Sequence, residues 1–224
     1  MKTLLLIFCL SISITAGAQK NHPIIKFSPL AALEEGNFPV IQAGVEFPLK
    51  NNFSLYSEIG IRYRKGIYDN ADTIFTGSGG FKAKVELRYY ITNEWRSWLE
   101  GTYWAANIFY TNSSHNTSMV YYKGNDSTTR IGDDFAVKKT VIGLNTLRGW
   151  QNSYGKHFMV DAYFGVGIRF RIIDHSHLEY DRKVDRLDGA RHFNVNEMRH
   201  QTDTRNGLSV APNLTFGIRL GWRL

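Results

Sequence analysis

The chain has 224 residues, of which 43% are hydrophobic, 14% aromatic and 21% charged. One domain is expected at this length, because all-β barrels reach it undivided. No apolar run in the body of the chain approaches the roughly 20 residues of a transmembrane helix, which excludes a helical membrane protein. The formal net charge of +7 suits anionic lipid head groups or lipopolysaccharide phosphates.

The first 18 residues have the pattern of a secretory signal peptide. Lys2 is followed by an apolar stretch at 4–14 and by a small-residue cleavage site at 16–18. We therefore expect a removed signal at 1–18 and one mature domain at 19–224. The only cysteine, Cys9, lies inside the signal, where Phe8 and the apolar residues after it disfavour a lipoprotein anchor. An exported chain without disulfides depends on packing or on membrane insertion for its stability. Nucleic acid is not an expected partner of such a chain.

Eight segments of the mature chain alternate between apolar and polar residues, the pattern of β-strands with two different faces. In chain order they are 24–33, 39–49, 53–64, 81–91, 98–110, 135–148, 158–172 and 207–224. A tilted strand needs about 9 to 11 residues to cross a bilayer, and most of these segments are at least that long. Strands of soluble proteins average only about 5 to 6 residues.

Two of these segments have apolar residues on both faces. In the fifth, the expectation that Glu100 avoids lipid predicts an outward face made of Leu99, Tyr103, Ala105 and Phe109. In the sixth, Ile142 and Leu144 are predicted to point outward. In the segment 24–33, Ile25, Phe27, Ala31 and Leu33 are predicted to share a face.

The connections between segments are short at 48–52, 92–97 and 149–156 and long at 66–79, 111–134 and 174–206. Short turns on one rim and long loops on the other are typical of transmembrane barrels. Aromatic residues at the strand ends predict two interfacial girdles. One comprises Phe47, Phe53, Tyr89, Trp98, Phe158 and Trp222, and the other Tyr63, Phe81, Phe109, Phe135 and Phe170.

Three blocks carry a family resemblance: ELRYY at 86–90, DAYFGVGIR at 161–169 and GIRLG at 217–221. They resemble small Bacteroidetes-type outer-membrane barrels of a family known only as a domain of unknown function. The resemblance implies insertion by the barrel assembly machinery and supplies no catalytic residue. The chain ends in Leu224, whereas many outer-membrane barrels end in an aromatic residue.

The inward faces hold twelve charged residues that we predict to form an interior charge network. They are Lys26, Glu46, Glu58, Arg62, Lys82, Lys84, Glu86, Arg88, Glu100, Asp161, Arg169 and Arg219. An eight-stranded barrel is just wide enough for side chains to fill it, so these charges should pair and plug the lumen. A conduction path or proton relay is the functional alternative.

The segment 174–206 suggests further alternatives. His175, His177 and Glu179 would share one face of an extended strand and would be suitable zinc or copper ligands. Ser209, His175 and Asp174 are the nearest set to the nucleophile, base and orienter of a lipid-acting enzyme. A turn at 188–189 predicts that the last two strands continue as an ordered ribbon, with Leu178 and Tyr180 opposite Phe193 and Val195.

Together these patterns predict an all-β fold, an eight-stranded antiparallel transmembrane β-barrel of up-and-down meander type with long extracellular loops. We expect it to be a monomer in the cell outer membrane, without enzymatic activity and without a cofactor or a bound metal. Its loops would contact lipopolysaccharide, other cells or an extracellular protein partner. A lipid A-modifying barrel enzyme, a small channel and a subunit of an envelope complex are the alternatives.

Overall fold

The computed structural model describes residues 22–33, 40–62, 67–69, 72–91, 99–124, 128–181, 183–187 and 206–224. These ranges form ten strands and one 3-10 helix (Pro29–Leu33). The strands are β1 (Ile24–Phe27), β2 (Val40–Pro48), β3 (Phe53–Arg62), β4 (Ile67–Asp69), β5 (Asp72–Ile91), β6 (Gly101–Tyr122), β7 (Arg130–Tyr154), β8 (Phe158–Ser176), β9 (Arg186–Leu187) and β10 (Gly207–Arg223). Within these ranges, no helix is both long and apolar enough to span a bilayer. The predicted signal at 1–18 lies outside them.

Eight strands close into a ring of antiparallel neighbours. Going round it, β1 pairs with β2, then β3, β5, β6, β7, β8 and β10 follow. The ring closes where Ile24 to Phe27 of β1 pair with Arg223 to Leu220 of β10. The short strands β4 and β9 attach to β5 and β6. The prediction of an all-β, eight-stranded up-and-down barrel is therefore confirmed.

The first strand is shorter than predicted, and this shortens the closing seam. It ends at Phe27, and the chain turns into the 3-10 helix at Pro29, which has no N–H to donate to a neighbouring strand. The Ala31 N–H donates to the Ser28 carbonyl, 3.2 Å away. The prediction that Ala31 shares a face with Ile25 and Phe27 was wrong, because those two side chains are exposed whereas this turn buries Ala31 against Val40.

The fifth predicted strand has the opposite register from the one predicted. Tyr103 and Ala105 are buried in the lumen, while Trp104 and Ile108 face outward. Leu99, also predicted outward, is buried before the strand begins. Its φ of 63° and the φ of 106° at Gly101 break the alternation, so the orientation of Glu100 does not extend into β6.

Phe109 and Phe135, two aromatic residues assigned to the second predicted girdle, also lie inside the barrel. Phe135 is buried, because β7 alternates without a break and its even-numbered residues, including Ile142 and Leu144, face out as predicted. Phe109 lines the lumen opposite Gly143. The outward ring near the short turns contains Phe53, Tyr89, Trp104, Trp150, Tyr154, Phe158 and Trp222. Trp98 and Tyr63 lie outside the described residues.

The β6–β7 hairpin continues beyond Thr117 and Ala136, where its pairing with β5 and β8 ends. Residues 111–122 and 130–134, predicted as a loop, are paired strand up to Tyr122 and Arg130. Asparagine, serine and threonine are common in loops, and their abundance here suggested one. A strand in water can pair its backbone without an apolar outward face, so a polar composition does not prevent strand formation. The inward Met119, Tyr121, Phe135, Val137 and Ile173 form a separate hydrophobic cluster in this extension.

The segment after β8 packs on this extension. The side chain of Asp133 accepts hydrogen bonds from the backbone N–H groups of Glu179 and Tyr180, at 2.8 and 3.1 Å. The Tyr180 ring packs edge-on against Tyr121. Backbone N–H groups of Asp181 and Gly124 hold the pKa of Asp185 below its usual range. The other half of the predicted ribbon, 188–205, lies outside the described residues.

We expect the backbone amides of 113–121 that pair with β7 to be protected from hydrogen exchange. Exchange at a paired amide requires local opening of the sheet, whereas the amides of a loop exchange rapidly. Mass spectrometry of the folded chain would measure this, with the turn at 155–157 as the fast-exchanging reference. Exchange at 113–121 as fast as in that turn would contradict the strand extension.

Candidate functional site

The ring register places the charged residues of six strands at one level of the lumen. Tyr56 lies opposite Glu46 of β2 on one side and Glu86 of β5 on the other. Asp161 of β8 lies between Arg219 of β10 and Gln151 of β7. Because alternate residues of a strand share a face, these side chains all point inward, where they can meet across the narrow barrel.

Eight buried charges meet there and form what we call the lumen network. Its members are Lys26, Glu46, Glu58, Lys84, Glu86, Arg88, Asp161 and Arg219, each at most 8% exposed. The four cations balance the four carboxylates. Glu58 pairs with Lys84 at 3.1 Å, and Glu86 pairs with both Arg88 and Arg219 at 2.6 Å. Such charges are stable away from water only when they are paired and hydrogen-bonded.

Asp161 has four partners in the network. It accepts from the Lys26 ammonium at 2.8 Å and from the Arg88 guanidinium at 2.9 Å. The Tyr103 hydroxyl donates to its second oxygen at 2.6 Å, and Arg219 lies 3.5 Å away. This carboxylate therefore connects β1, β5, β6 and β10 to β8.

Tyrosine rings cover the two guanidinium groups of the network. The Arg88 guanidinium lies 4.5 Å from the Tyr56 ring centre and 4.6 Å from that of Tyr103. Arg219 lies 4.5 Å from the Tyr56 ring centre and 3.9 Å from that of Tyr163. Arginine stacks well on aromatic faces, so the rings exclude water and attract the cations together.

Inward glycines make room for these rings. Gly149 lies opposite Tyr103, and Gly217 lies opposite Tyr163. A Cβ atom on Gly149 would overlap the Tyr103 ring, and one on Gly217 would lie 2.6 Å from the Tyr163 hydroxyl. A tyrosine can thus lie flat against the neighbouring strand only where that strand has no side chain.

The other four residues predicted for the network lie apart from it. Glu100 is half-buried below the network, where Arg223 donates to it at 3.2 Å. Arg62, Lys82 and Arg169 are half-buried above it, toward the rim with the longer connections, which we call the loop rim. The predicted charges therefore form one central network, one lower pair and a cationic upper group.

Above the network, toward the loop rim, is an upper cavity of about 180 Å³. Its cationic lining residues are Lys82, Lys84, Lys139, Arg169 and Arg171, and its uncharged polar ones include Gln42, Asn107, Thr111, Ser113, Asn145 and Asn213. The 3-10 helix contributes Leu30 and Ala31 to one side. The volume is many times the roughly 10–15 Å³ that one water molecule needs.

Two residues of the lumen, Gln151 and Lys139, were missed by sequence reasoning. Gln151 accepts hydrogen bonds from Lys26 and Arg88, and its own amide donates to the Leu99 carbonyl at 2.8 Å. Lys139 could have been recognised, because unbroken alternation from the outward Ile142 places it inward. Gln151 carries no charge and lies in a segment read as a turn, so no sequence signal distinguished it.

The residues proposed for metal binding do not gather around one point. β8 ends at Ser176, and His177 has a φ of 67°, which interrupts the strand face that it would share with His175 and Glu179. His175 packs against the Phe135 ring. Among the described residues, no group of three or more histidine, cysteine, aspartate or glutamate side chains is arranged to hold a metal ion.

Register also separates the suggested serine and histidine. Ser209 lies opposite Arg171, four residues along β8 from His175. At about 3.3 Å per residue the two positions are about 13 Å apart along the strand, beyond hydrogen-bond reach. Asp174 precedes His175 and faces outward, so it does not orient the imidazole.

We expect Asp161→Asn to lower the free energy of unfolding by about 3–5 kcal/mol, because it leaves buried cations short of one carboxylate. Glu100→Gln is the matched control, since the half-buried pair with Arg223 should contribute about 1 kcal/mol or less. Urea titrations of both variants refolded in the same detergent would measure the difference. Equal losses would show that the lumen network has no special weight in stability.

We expect Gly149→Ala to destabilise the barrel by about 1–3 kcal/mol through overpacking. The added methyl meets the Tyr103 ring, whose hydroxyl is held by Asp161 and whose face is held by Arg88. Gly132→Ala on the same strand is the control, because nothing lies within 4 Å of its added Cβ. The same urea titration applies, and a neutral Gly149→Ala would contradict the tight packing of ring on glycine.

Comparison of the chain with protein-family models, with curated proteins and with solved structures finds no match.

Proposed function

We propose that this chain is an integral outer-membrane β-barrel whose role is structural or interactive and not enzymatic. Its plugged lumen would fix the barrel, and its loop rim would contact lipopolysaccharide, other cells or partner proteins. The basic net charge and the signal-like segment at 1–18 support this location. So does the resemblance of 86–90, 161–169 and 217–221 to small outer-membrane barrels.

The observation that carries the proposal is the inverted distribution of side chains. Each of the eight ring strands exposes large hydrophobic residues, for example Ile25, Ile41, Ile59, Leu87, Ile108, Leu144, Val166 and Phe216. Leu214 and Phe216 are 79% and 78% exposed, while the lumen beside them is charged. Soluble proteins rarely expose so continuous an apolar surface, whereas barrels in a bilayer require one.

The lumen network supports a plug more than a conduction path. Its eight side chains and the three tyrosines that cover them span the barrel from β1 to β10 at one level. Because the charges balance within the network, an ion crossing this level would have to displace paired groups. A barrel of this size holds side chains in place of an aqueous channel.

The separation of Ser209 from His175 gives no support to the lipid-modifying alternative. A nucleophile and its base must approach within about 2.6–3.2 Å, which the ring register does not allow for this pair. Closure of the ring supports a monomer, since β1 pairs with both β2 and β10 and so joins the two ends of the sheet. The strand extension built from β6, β7, 178–181 and 183–187 offers a surface for a partner.

Membrane insertion predicts that charge is tolerated outside the apolar belt and not within it. We expect Leu214→Arg to cost about 2–4 kcal/mol in refolding into lipid vesicles, because arginine at the bilayer midplane is opposed by that amount. Asn116→Arg, at an exposed outward position of the strand extension, should cost almost nothing. Both substitutions are at outward strand positions, so only the surrounding medium differs.

Urea titration of the two variants refolded into vesicles would test this. If the barrel belongs in water, Leu214→Arg should be as well tolerated as Asn116→Arg, and the membrane proposal fails. Cell fractionation of the unaltered protein is the complementary measurement, with recovery expected in the outer-membrane fraction.

A further inference from the structure

We propose that the upper cavity binds a phosphate group, either free inorganic phosphate or a phosphate carried by a larger molecule that enters from the loop rim. The inference depends on the geometry of the lumen and not on where the barrel resides. It goes beyond the structural role proposed above, because it assigns a ligand to one part of the interior.

The first observation is a charge imbalance. The lumen network below contains four cations and four carboxylates. The cavity adds the cations Lys82, Lys139, Arg169 and Arg171, and the only carboxylate among its described lining residues is Glu86. Glu86 already accepts from Arg88 and Arg219. Among the described residues, the lining added above the network therefore has four cations and no carboxylate.

Such an excess makes the cavity attractive to an anion. Charges interact more strongly in a partly enclosed, low-dielectric site than in open water. Lys82, Lys139 and Arg171 also have contacts of their own, so their positions are held. The site is thus a fixed cationic surface facing a space of about 180 Å³.

The second observation is a set of buried donors without acceptors. The Arg169 Nε, Gln42 Nε2 and Asn107 Nδ2 atoms are buried and have no hydrogen-bond partner in the described structure. All three residues line the upper cavity, and Gln42 and Asn107 are 2% and 3% exposed. Buried polar groups are almost always paired, with protein, ordered water or a ligand, so three such donors around one cavity favour an occupant rich in acceptors.

The orientation of Asn107 follows from a chain of amides. Asn213 Nδ2 donates to Asn145 Oδ1 at 2.7 Å, and Asn145 Nδ2 donates to Asn107 Oδ1 at 2.8 Å. The carbonyl oxygen of Asn107 is therefore occupied, and its Nδ2 donor is left for the cavity. Three strands, β10, β7 and β6, fix this donor through one continuous chain.

Phosphate fits these groups better than other ligands. A metal cation would be repelled by the lysines and arginines, and a neutral sugar would not offer the Arg169 guanidinium an anionic acceptor. Phosphate offers acceptors on every oxygen, and the planar guanidinium of arginine matches its geometry. The hydroxyls of Thr111 and Ser113 add possible donors on the same wall.

The test is calorimetric titration of the mature chain, refolded in an uncharged detergent, with inorganic phosphate at constant ionic strength in chloride. We expect saturable binding of one phosphate per chain. Arg169→Gln should weaken it about tenfold or more, because it removes a charged donor. Phosphorylated and unphosphorylated forms of one disaccharide form the second arm of the titration.

The matched controls are Lys139→Gln and Lys138→Gln. These neighbours differ in direction: Lys139 lines the cavity, whereas Lys138 is exposed on the outer face. Lys139→Gln should weaken phosphate binding severalfold, and Lys138→Gln should leave it within about twofold. This pair decides the question even if Arg169→Gln fails to fold.

Binding of inorganic phosphate would support the site and show that the free ion suffices. Binding of the phosphorylated disaccharide alone would support it and identify a glycan as the carrier. Absence of binding in both arms would overturn the proposal, as would equal binding by the disaccharide without phosphate. Equal affinity in the Lys138→Gln and Lys139→Gln variants would also overturn it.

Discussion

The interaction on which this barrel depends is the neutralisation of charge at one level of a narrow lumen. Lys26, Glu46 and Glu58 bring β1, β2 and β3 into the network; Lys84, Glu86 and Arg88 bring in β5, and Asp161 and Arg219 bring in β8 and β10. Tyr103 and Gln151 connect β6 and β7 to it. Every strand of the ring thus contributes to one cluster, and a slip of one residue in any of the six strands that carry its charges would leave a buried charge unpaired.

The outer surface has the complementary property. With its polar groups gathered inside, the ring presents isoleucine, leucine, valine and phenylalanine outward, so little of its apolar surface is buried by its own chain. Burial of that surface in lipid would supply the stabilisation that a soluble fold obtains from its core. The small clusters of buried apolar residues around Leu147, around Tyr121 and between Ala31 and Val40 do not replace such a core.

The lumen changes character along its length. At the network level, charges balance and tyrosines fill the space opposite glycines. Above it, cations accumulate, amides form a donor chain and a cavity opens toward the loop rim. The same inward alternation produces both regions, and the difference between them is the supply of carboxylates, of which the described lining of the cavity has only Glu86.

The sequence alone determined the two-faced strands, their number and the inward direction of most charges, because alternation is a local property that follows from strand geometry. It failed where that geometry is interrupted or where the medium changes. The positive φ values at Leu99 and Gly101 reversed the faces of β6, and polar residues at 111–122 concealed a strand. Which charges pair, and which remain in a cationic cavity, was decided only by closure of the ring, because that closure brings residues more than a hundred positions apart into contact.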